Sequence, residues 1–145
     1  MPMLPLVLAL AAFQPPATAS LTLAFPPELR LNRAAPNLLT LTHPWGTLAL
    51  VPVGVPDPQD PVHYLTRLGR LTFPVRVPAA TPPGDYPVRL NAELYLCSQR
   101  AGLCYRKSLS LPARLAVGPA ARPTSLKLTA AQLQPSARGL TGGFR

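Results

Sequence analysis

Proline recurs along nearly the whole chain, and no other feature limits the possible folds as strongly. The sequence holds 21 prolines among its 145 residues. Proline has no backbone N–H to donate, and it breaks the interior of helices. The spread of prolines therefore disfavours a helical protein and favours short strands joined by rigid loops.

The segments between the prolines alternate between apolar and polar residues, as half-buried strands do. In the clearest case Leu71, Phe73, Val75 and Val77 fall on one side of a strand. Turn signals such as PWG separate these runs, which lie at residues 21–25, 37–43, 47–53, 68–78, 88–97, 104–111 and 113–117. We therefore predict an all-β fold, an antiparallel immunoglobulin-like β-sandwich that spans residues 20–118.

The N-terminal segment MPMLPLVLALAAFQPPATA has the pattern of a secretory signal. Its apolar run at residues 4–13 is shorter than the roughly 20 residues that a membrane-spanning helix needs. Ala17-Thr18-Ala19 matches the A-x-A pattern of a cleavage site. The alternative is an apolar N-terminal strand, which the prolines of this segment disfavour. We therefore predict a signal peptide at residues 1–19 and a periplasmic or secreted protein, in which disulfides can form.

The C-terminal residues 119–145 differ in composition from the rest of the chain. They contain no acidic residue and four basic residues, with glycine and proline near the end. We predict a basic, flexible tail with at most one marginal strand at residues 125–129. Such a tail is suited to a weak contact with an anionic envelope surface.

The formal net charge of the whole chain is +9, carried by twelve arginines and two lysines against five acids. A basic balance of this kind is compatible with nucleic acid or anionic lipid as a partner. The arginines are scattered, however, and few aromatic residues are available to stack on bases. We therefore predict no nucleic-acid partner.

The two cysteines, Cys97 and Cys104, lie in the stretch YLCSQRAGLCYRKSLSLP with six residues between them. In the first strand the even positions are apolar, so Cys97 falls on the outer face with Glu93 and Tyr95. In the second strand Cys104 belongs to the polar set with Arg106. A tight hairpin places the cysteines directly opposite each other, at a distance that a disulfide accepts.

Charged and aromatic residues flank this cysteine pair. Arg106 on the strand and Arg100 in the loop favour the thiolate form of a cysteine, and Glu93 opposes it. Tyr105 belongs to the inward, apolar set of its strand. Lys107 is the exception to the alternation, because the register turns this charged residue toward the core. Either a bulge in the strand or the extension of its aliphatic stem toward solvent accommodates it.

Three roles are open for the cysteine pair. A bridge across so short a loop contributes at most about 2–3 kcal/mol to stability, so it is a modest staple. On the outer face the same bridge is also an accessible redox pair. A zinc site is the third role, but the spacing is wider than usual, and the two imidazoles, His43 and His63, lie in separate loops. We predict no metal and no cofactor, and we interpret Trp45 and Tyr64 as packing residues.

Two stretches of the chain resemble a known family. GLCY at residues 102–105, with a cysteine on the preceding strand and a polar strand after it, resembles the N-terminal periplasmic domain of DsbD, the thiol:disulfide interchange protein. LRLNRAAPNLLTL at residues 29–41 is similar to the LN-x-x-AP segment that opens related β-domains. Those domains follow thioredoxin and NHL-repeat modules and also carry a C-x6-C hairpin. The resemblance covers residues 24–117.

The resemblance implies an immunoglobulin-like domain that passes electrons through a surface cysteine pair, here Cys97 and Cys104. It also implies a thioredoxin-like redox protein as the partner, with Cys104 as the nucleophile toward the next acceptor. Two functions therefore stay open for an exported domain of this kind. It is either a component of a thiol:disulfide oxidoreductase system or a non-catalytic binding or structural domain that a hairpin disulfide stabilises.

Overall fold

The computed structural model describes residues 17–98 and 103–135. Within these ranges the chain has no helix, and therefore none that is long and apolar enough to cross a membrane. The strands are β1 (Ala17–Ala24), β2 (Leu31–Asn32), β3 (Leu38–His43), β4 (Gly46–Leu50), β5 (Val55–Pro56), β6 (Tyr64–Thr66), β7 (Arg70–Val77), β8 (Gly84–Ser98), β9 (Leu103–Val117) and β10 (Thr124–Lys127).

The strands form two sheets that pack together. The first has the order β10-β1-β7, in which β1 pairs antiparallel with β7 and parallel with β10. The second has seven strands in the order β4-β3-β8-β2-β6-β5, and β9 pairs with the other side of β8. The predicted all-β sandwich is confirmed, and the parallel pair of β1 and β10 is its departure from a purely antiparallel arrangement.

The core lies between the sheets and is built from alternate residues of the long strands. On β7 the side chains of Phe73, Val75 and Val77 are buried, and the residues between them are exposed. On β8 the even positions from Val88 to Leu96 are all buried. An apolar period of two residues thus determines which face of each strand turns inward, as the sequence predicts.

The longest element of the fold is the hairpin of β8 and β9, in which each strand has 15 residues. Its register runs without a bulge from Gly84 opposite Val117 to Ser98 opposite Leu103. β8 lies inside the sheet, with β9 on one side and β3 and β2 on the other. Among the described strands β9 pairs with β8 alone, so β9 is an edge strand. The predicted strands at residues 104–111 and 113–117 are therefore one strand.

Lys107 shows how this edge strand accommodates an inward charge. It lies opposite Leu94, as predicted, and the uninterrupted register excludes the bulge that was one of the two expected solutions. The inward positions of β9 from Leu103 to Ala113 are only half-buried, so the stem of Lys107 can extend to solvent. An inward lysine on an edge strand also hinders pairing with the edge of another chain.

The segment before the sandwich is described only from Ala17 onward, and there it is a strand. Ala17, Thr18 and Ala19 of the predicted cleavage motif pair with β7, and Ala19 is buried. The first 16 residues of the predicted signal peptide lie outside the described residues. A chain that begins at Ser20 keeps the pairs of β1 with β7 from Ser20 to Ala24 and all of its pairs with β10.

Part of the segment predicted as a flexible tail is a strand, β10, which coincides with the marginal strand expected at residues 125–129. β10 pairs with β1, and the backbone N–H of Leu128 donates to the carbonyl of Ala24 at 2.9 Å. Leu128 and Leu133 are buried in the core. Residues 119–135 therefore complete the sandwich, because their apolar side chains cover its open end. The remaining residues of the predicted tail, 136–145, lie outside the described residues.

Candidate redox site

Cys97 and Cys104 close the hairpin with a disulfide. They lie directly opposite each other in the register of β8 and β9, with 4.0 Å between their Cα atoms. The structure thus has the pairing that the two strand alternations predict. The loop between the cysteines, with the predicted supporting residue Arg100, falls in residues 99–102, outside the described residues.

The two cysteines differ in exposure, which the alternation does not predict. Cys104 is exposed, whereas only 7% of the Cys97 surface is accessible. The position of each strand explains the difference. Cys104 lies on the edge strand, but Cys97 has a neighbour on both sides, since its N–H donates to the carbonyl of Arg30 at 3.0 Å. Cys104 is therefore the more accessible residue of the pair, and Cys97 is the sheltered one.

Glu93 and Arg106 form an ion pair on the same outer face. Arg106 Nε donates to Glu93 Oε2 at 2.7 Å, and the hydroxyl of Ser108 donates to Oε1 at 2.7 Å. The bond from Arg106, and then the bond from Ser108, lower the pKa of Glu93. The bond to Glu93 in turn raises the pKa of the Arg106 guanidinium. The charge of Arg106 is thus compensated, and its expected support for a thiolate at Cys104 is reduced.

The two predicted supporting tyrosines lie on opposite faces of the hairpin. Tyr95 is opposite Arg106 on the outer face, in the register two residues from the disulfide. Tyr105 points inward, and its hydroxyl donates to the carbonyl of Leu133 at 2.7 Å. Burial raises the pKa of this hydroxyl. Tyr95 is therefore a neighbour of the disulfide, whereas Tyr105 anchors the segment around Leu133 to the hairpin.

A cluster around Arg30, next to Cys97, is absent from the sequence-based prediction. Arg30 Nε lies 3.0 Å from Asp57 Oδ2, in an ion pair whose side chains are 15% and 4% exposed. The guanidinium carbon of Arg30 lies 3.7 Å from the ring centroid of Tyr64, which is a cation–π contact. The cluster fixes the chain segment that shelters Cys97. Its members are too far apart in sequence to form a recognisable motif.

Asn37 gives the LN-x-x-AP stretch a structural role at the same end of the hairpin. Its side-chain amide donates to the carbonyl of Asn32 at 2.8 Å, and its Oδ1 accepts the backbone N–H of Tyr95 at 2.8 Å. Asn37 is buried, with 6% of its surface exposed. The turn between β2 and β3 is thereby tied to β8 close to the cysteines. The asparagine directly after the motif was the available signal for this role.

A cavity of about 560 Å³ opens beside Cys97. Its walls include Leu29, Arg30, Tyr105 and Leu133, so both the sheltering segment and the end of the described chain contribute to it. The cavity provides apolar surface with a charged rim next to the disulfide. This space is large enough to accept side chains of another molecule.

The histidines make local contacts. His43 Nδ1 accepts the backbone N–H of Trp45 at 3.2 Å, and burial lowers the pKa of this imidazole. His63 Nδ1 lies 2.8 Å from Asp60 Oδ1. Trp45 packs against His43 and Tyr86, with ring centroids 5.9 and 5.2 Å away. Residues 17–98 and 103–135 contain no group of three or more side chains that could hold a metal ion.

Neither a known protein family, nor a curated protein, nor a solved structure matches the chain. Function therefore has to be inferred from the geometry of the site. That geometry is a short-loop disulfide with one exposed and one sheltered sulfur, a compensated ion pair beside it and an open cavity next to the sheltered cysteine.

Proposed function

We propose that the chain is an exported thiol-disulfide exchange domain whose redox pair is Cys97 and Cys104. The observation that carries this proposal is the unequal exposure of the two cysteines. An exchange reaction needs one sulfur that a partner can attack and a second sulfur that leaves as a thiolate. The edge position of Cys104 gives a partner this access.

The exchange proceeds through a mixed disulfide. A thiolate of a reduced, thioredoxin-like partner attacks Sγ of Cys104, the bond to Cys97 breaks, and Cys97 leaves as a thiolate that takes up a proton. The second thiol of the partner then attacks the partner's first sulfur, which is bonded to Cys104 in the mixed disulfide. Cys104 leaves as a thiolate and takes up a proton. The partner is oxidised to a disulfide, and the domain gains two electrons and two protons as a dithiol.

The location of the bridge supports the same proposal. It closes a loop of only six intervening residues, so chain entropy limits its contribution to about 2–3 kcal/mol. The cavity beside Cys97 leaves room for the residues that flank the reactive cysteine of a partner. The likeness of GLCY and of the LN-x-x-AP stretch to DsbD-type domains points to the same chemistry.

The direct test uses the oxidised domain and a reduced thioredoxin-like protein whose resolving cysteine is replaced by serine. We expect a mixed disulfide in native buffer, and peptide mapping should place it on Cys104. The double variant Cys97→Ser/Cys104→Ser is the control that cannot form it. A mixed disulfide that forms only after denaturant is added would show that the bridge is a structural staple in a non-catalytic domain.

Export belongs to the same proposal, because a disulfide persists in an oxidising compartment. We propose cleavage after Ala19, which leaves most of β1 and its pairing with β7 and β10 intact. Expression in a host with a secretory pathway, followed by N-terminal sequencing, should give a chain that starts at Ser20 or within a few residues of it. An intact Met1 on protein that stays in the cytoplasm would contradict export.

A further inference from the structure

A second groove lies at the other end of the hairpin, away from the cysteines. Its volume is about 620 Å³, and residues of three neighbouring strands line it, among them Thr42 on β3, Arg89 on β8 and Arg114 on β9. Arg89 and Cys97 share the outer face of β8 and are eight residues apart. At about 3.3 Å per residue, the two sites are separated by roughly 26 Å.

The register places the two arginines as diagonal neighbours. Arg89 lies opposite Pro112, and Arg114 lies opposite Pro87. Diagonal side chains on one face have Cβ atoms about 7–8 Å apart, within reach of long side chains that converge on one ligand. The compact prolines opposite each arginine leave the space above the sheet open. Thr42 pairs with Arg89 on its other side and adds a hydroxyl to the same face.

The two arginines of this groove form no ion pair with a described residue. Arg89 donates to Ser110 Oγ at 2.9 Å, on the side of Pro112 that faces away from Arg114, so an anion held by both arginines has to draw the Arg89 guanidinium out of this bond. The lining contains no carboxylate. Asp85 on β8 lies opposite Ala116 and is therefore a diagonal neighbour of Arg114 on the same face, but these two side chains form no ion pair.

We propose that this groove binds a phosphoryl group, held by the guanidinium groups of Arg89 and Arg114 with the hydroxyl of Thr42 as an additional donor. A guanidinium offers a planar fork of N–H donors that matches the oxygens of a phosphate and bonds to them in pairs. Proteins place arginines together where such bidentate recognition is needed. The phosphoryl group belongs either to a soluble phosphate ester or to the headgroup of an anionic phospholipid.

The test titrates the full chain with inorganic phosphate and follows binding by NMR or calorimetry. We expect saturable binding that weakens about tenfold or more with Arg89→Ala or with Arg114→Ala, because each removes charge-assisted hydrogen bonds. Arg106→Ala is the matched control on the same face, and it should leave phosphate binding unchanged. Circular dichroism confirms that each variant is folded.

A second pair of variants distinguishes bidentate recognition of phosphate by the arginines from non-specific electrostatic attraction. Arg89→Lys and Arg114→Lys keep the charge but lose the planar fork, so we expect them to weaken phosphate binding too. Full binding by the lysine variants, or no saturable binding by the native chain, would overturn the proposal. Vesicles with and without phosphatidylglycerol identify the source. Arginine-dependent binding to the anionic vesicles assigns a lipid headgroup, and phosphate binding without vesicle binding assigns a soluble ester.

Discussion

The two ends of the hairpin of β8 and β9 share one scaffold and one face, yet they differ in charge. At the cysteine end Arg106 is paired with Glu93, and Arg30 beside Cys97 is paired with Asp57. At the other end Arg89 and Arg114 have no ionic partner among the described residues. The arginines at the cysteine end are thus neutralised by ion pairs, whereas those at the other end have no ion-pair partner and form the proposed anion site.

This difference indicates that the hairpin separates two sites rather than spreading one site along a face. Substitutions that are more than about 7–10 Å apart and share no partner usually act independently. The register between the two ends is continuous. We therefore expect changes at one end to leave the other unaffected, unless they damage the scaffold itself.

The largest effect should come from the scaffold that both ends share. Leu90 is fully buried, and it lies opposite Leu41 on β3 and Leu111 on β9. Leu90→Ala should lower the free energy of unfolding by about 2–5 kcal/mol, because it leaves a cavity in the core. Urea denaturation measures the loss, and Leu38→Ala, at a position 40% exposed, is the control with a much smaller effect. Equal losses for the two variants would show that β8 is not the central strand of the core.

Removal of the disulfide should have the next largest effect, and only at its own end. Cys97→Ala/Cys104→Ala should lower the free energy of unfolding by about 2–3 kcal/mol through the entropy of the unfolded chain. The variant should remain folded and keep its affinity for inorganic phosphate. Loss of phosphate binding in a folded variant would contradict the independence of the two ends.

The exposure difference between the cysteines should appear as a difference in thiol reactivity. In Cys97→Ser the remaining thiol is the exposed Cys104, and in Cys104→Ser it is the sheltered Cys97. We expect Cys104 to react with iodoacetamide at least about tenfold faster at the same pH, because access to the thiolate limits the rate. Equal alkylation rates for the two variants would contradict the assignment of Cys104 as the attacked sulfur and Cys97 as the leaving sulfur.

The smallest effect should come from removing the carboxylate that neutralises Arg106 at the cysteine end. Glu93→Gln in the Cys97→Ser background removes the ion-pair partner of Arg106. Arg106 then has no ionic partner, like Arg89 and Arg114. The released positive charge favours the thiolate, so alkylation of Cys104 at pH 7 should rise about twofold. An unchanged or lower rate would show that Arg106 does not act on the sulfur.

The ion pair of Glu93 and Arg106 should make the stability of the domain depend on pH in the acidic range. The pKa of Glu93 is lower in the folded state than in the unfolded state, so its contribution is fully present above the unfolded pKa. That contribution is lost as the pH falls through the folded pKa. Thermal melts of native protein and Glu93→Gln should differ by about 1–4 °C at pH 7, and the two should converge in acid. A difference that persists in strong acid would point to lost packing instead.

Alternation alone predicted much of the fold. The apolar period of two residues identified the core positions of β7 and β8, the pairing of Cys97 with Cys104 and the inward register of Lys107. These properties depend on one strand and its immediate neighbour, so they can be derived from local sequence. The marginal strand expected at residues 125–129 is present as β10, but its pairing with β1 could not be derived in this way, since β1 lies about a hundred residues away.

The candidate site was predictable only in part for the same reason. The sequence indicated which face the cysteines share, but the burial of Cys97 depends on Arg30 and its contacts with Asp57 and Tyr64. The compensation of Arg106 by Glu93 depends on a diagonal contact between strands. The arginine groove depends on how three strands lie side by side, and a scattered distribution of arginines in the sequence concealed it.

The reduction potential of the bridge is the most direct measurement of the proposed exchange function. The native domain is equilibrated in glutathione buffers without denaturant, and the fractions of disulfide and dithiol are determined by alkylation and mass spectrometry. Because Cys104 is exposed and the bridge closes only a short loop, we expect a folded dithiol and a potential above about −300 mV. A potential below that value, or a bridge that is reduced only when the domain unfolds, would contradict thiol-disulfide exchange as the function.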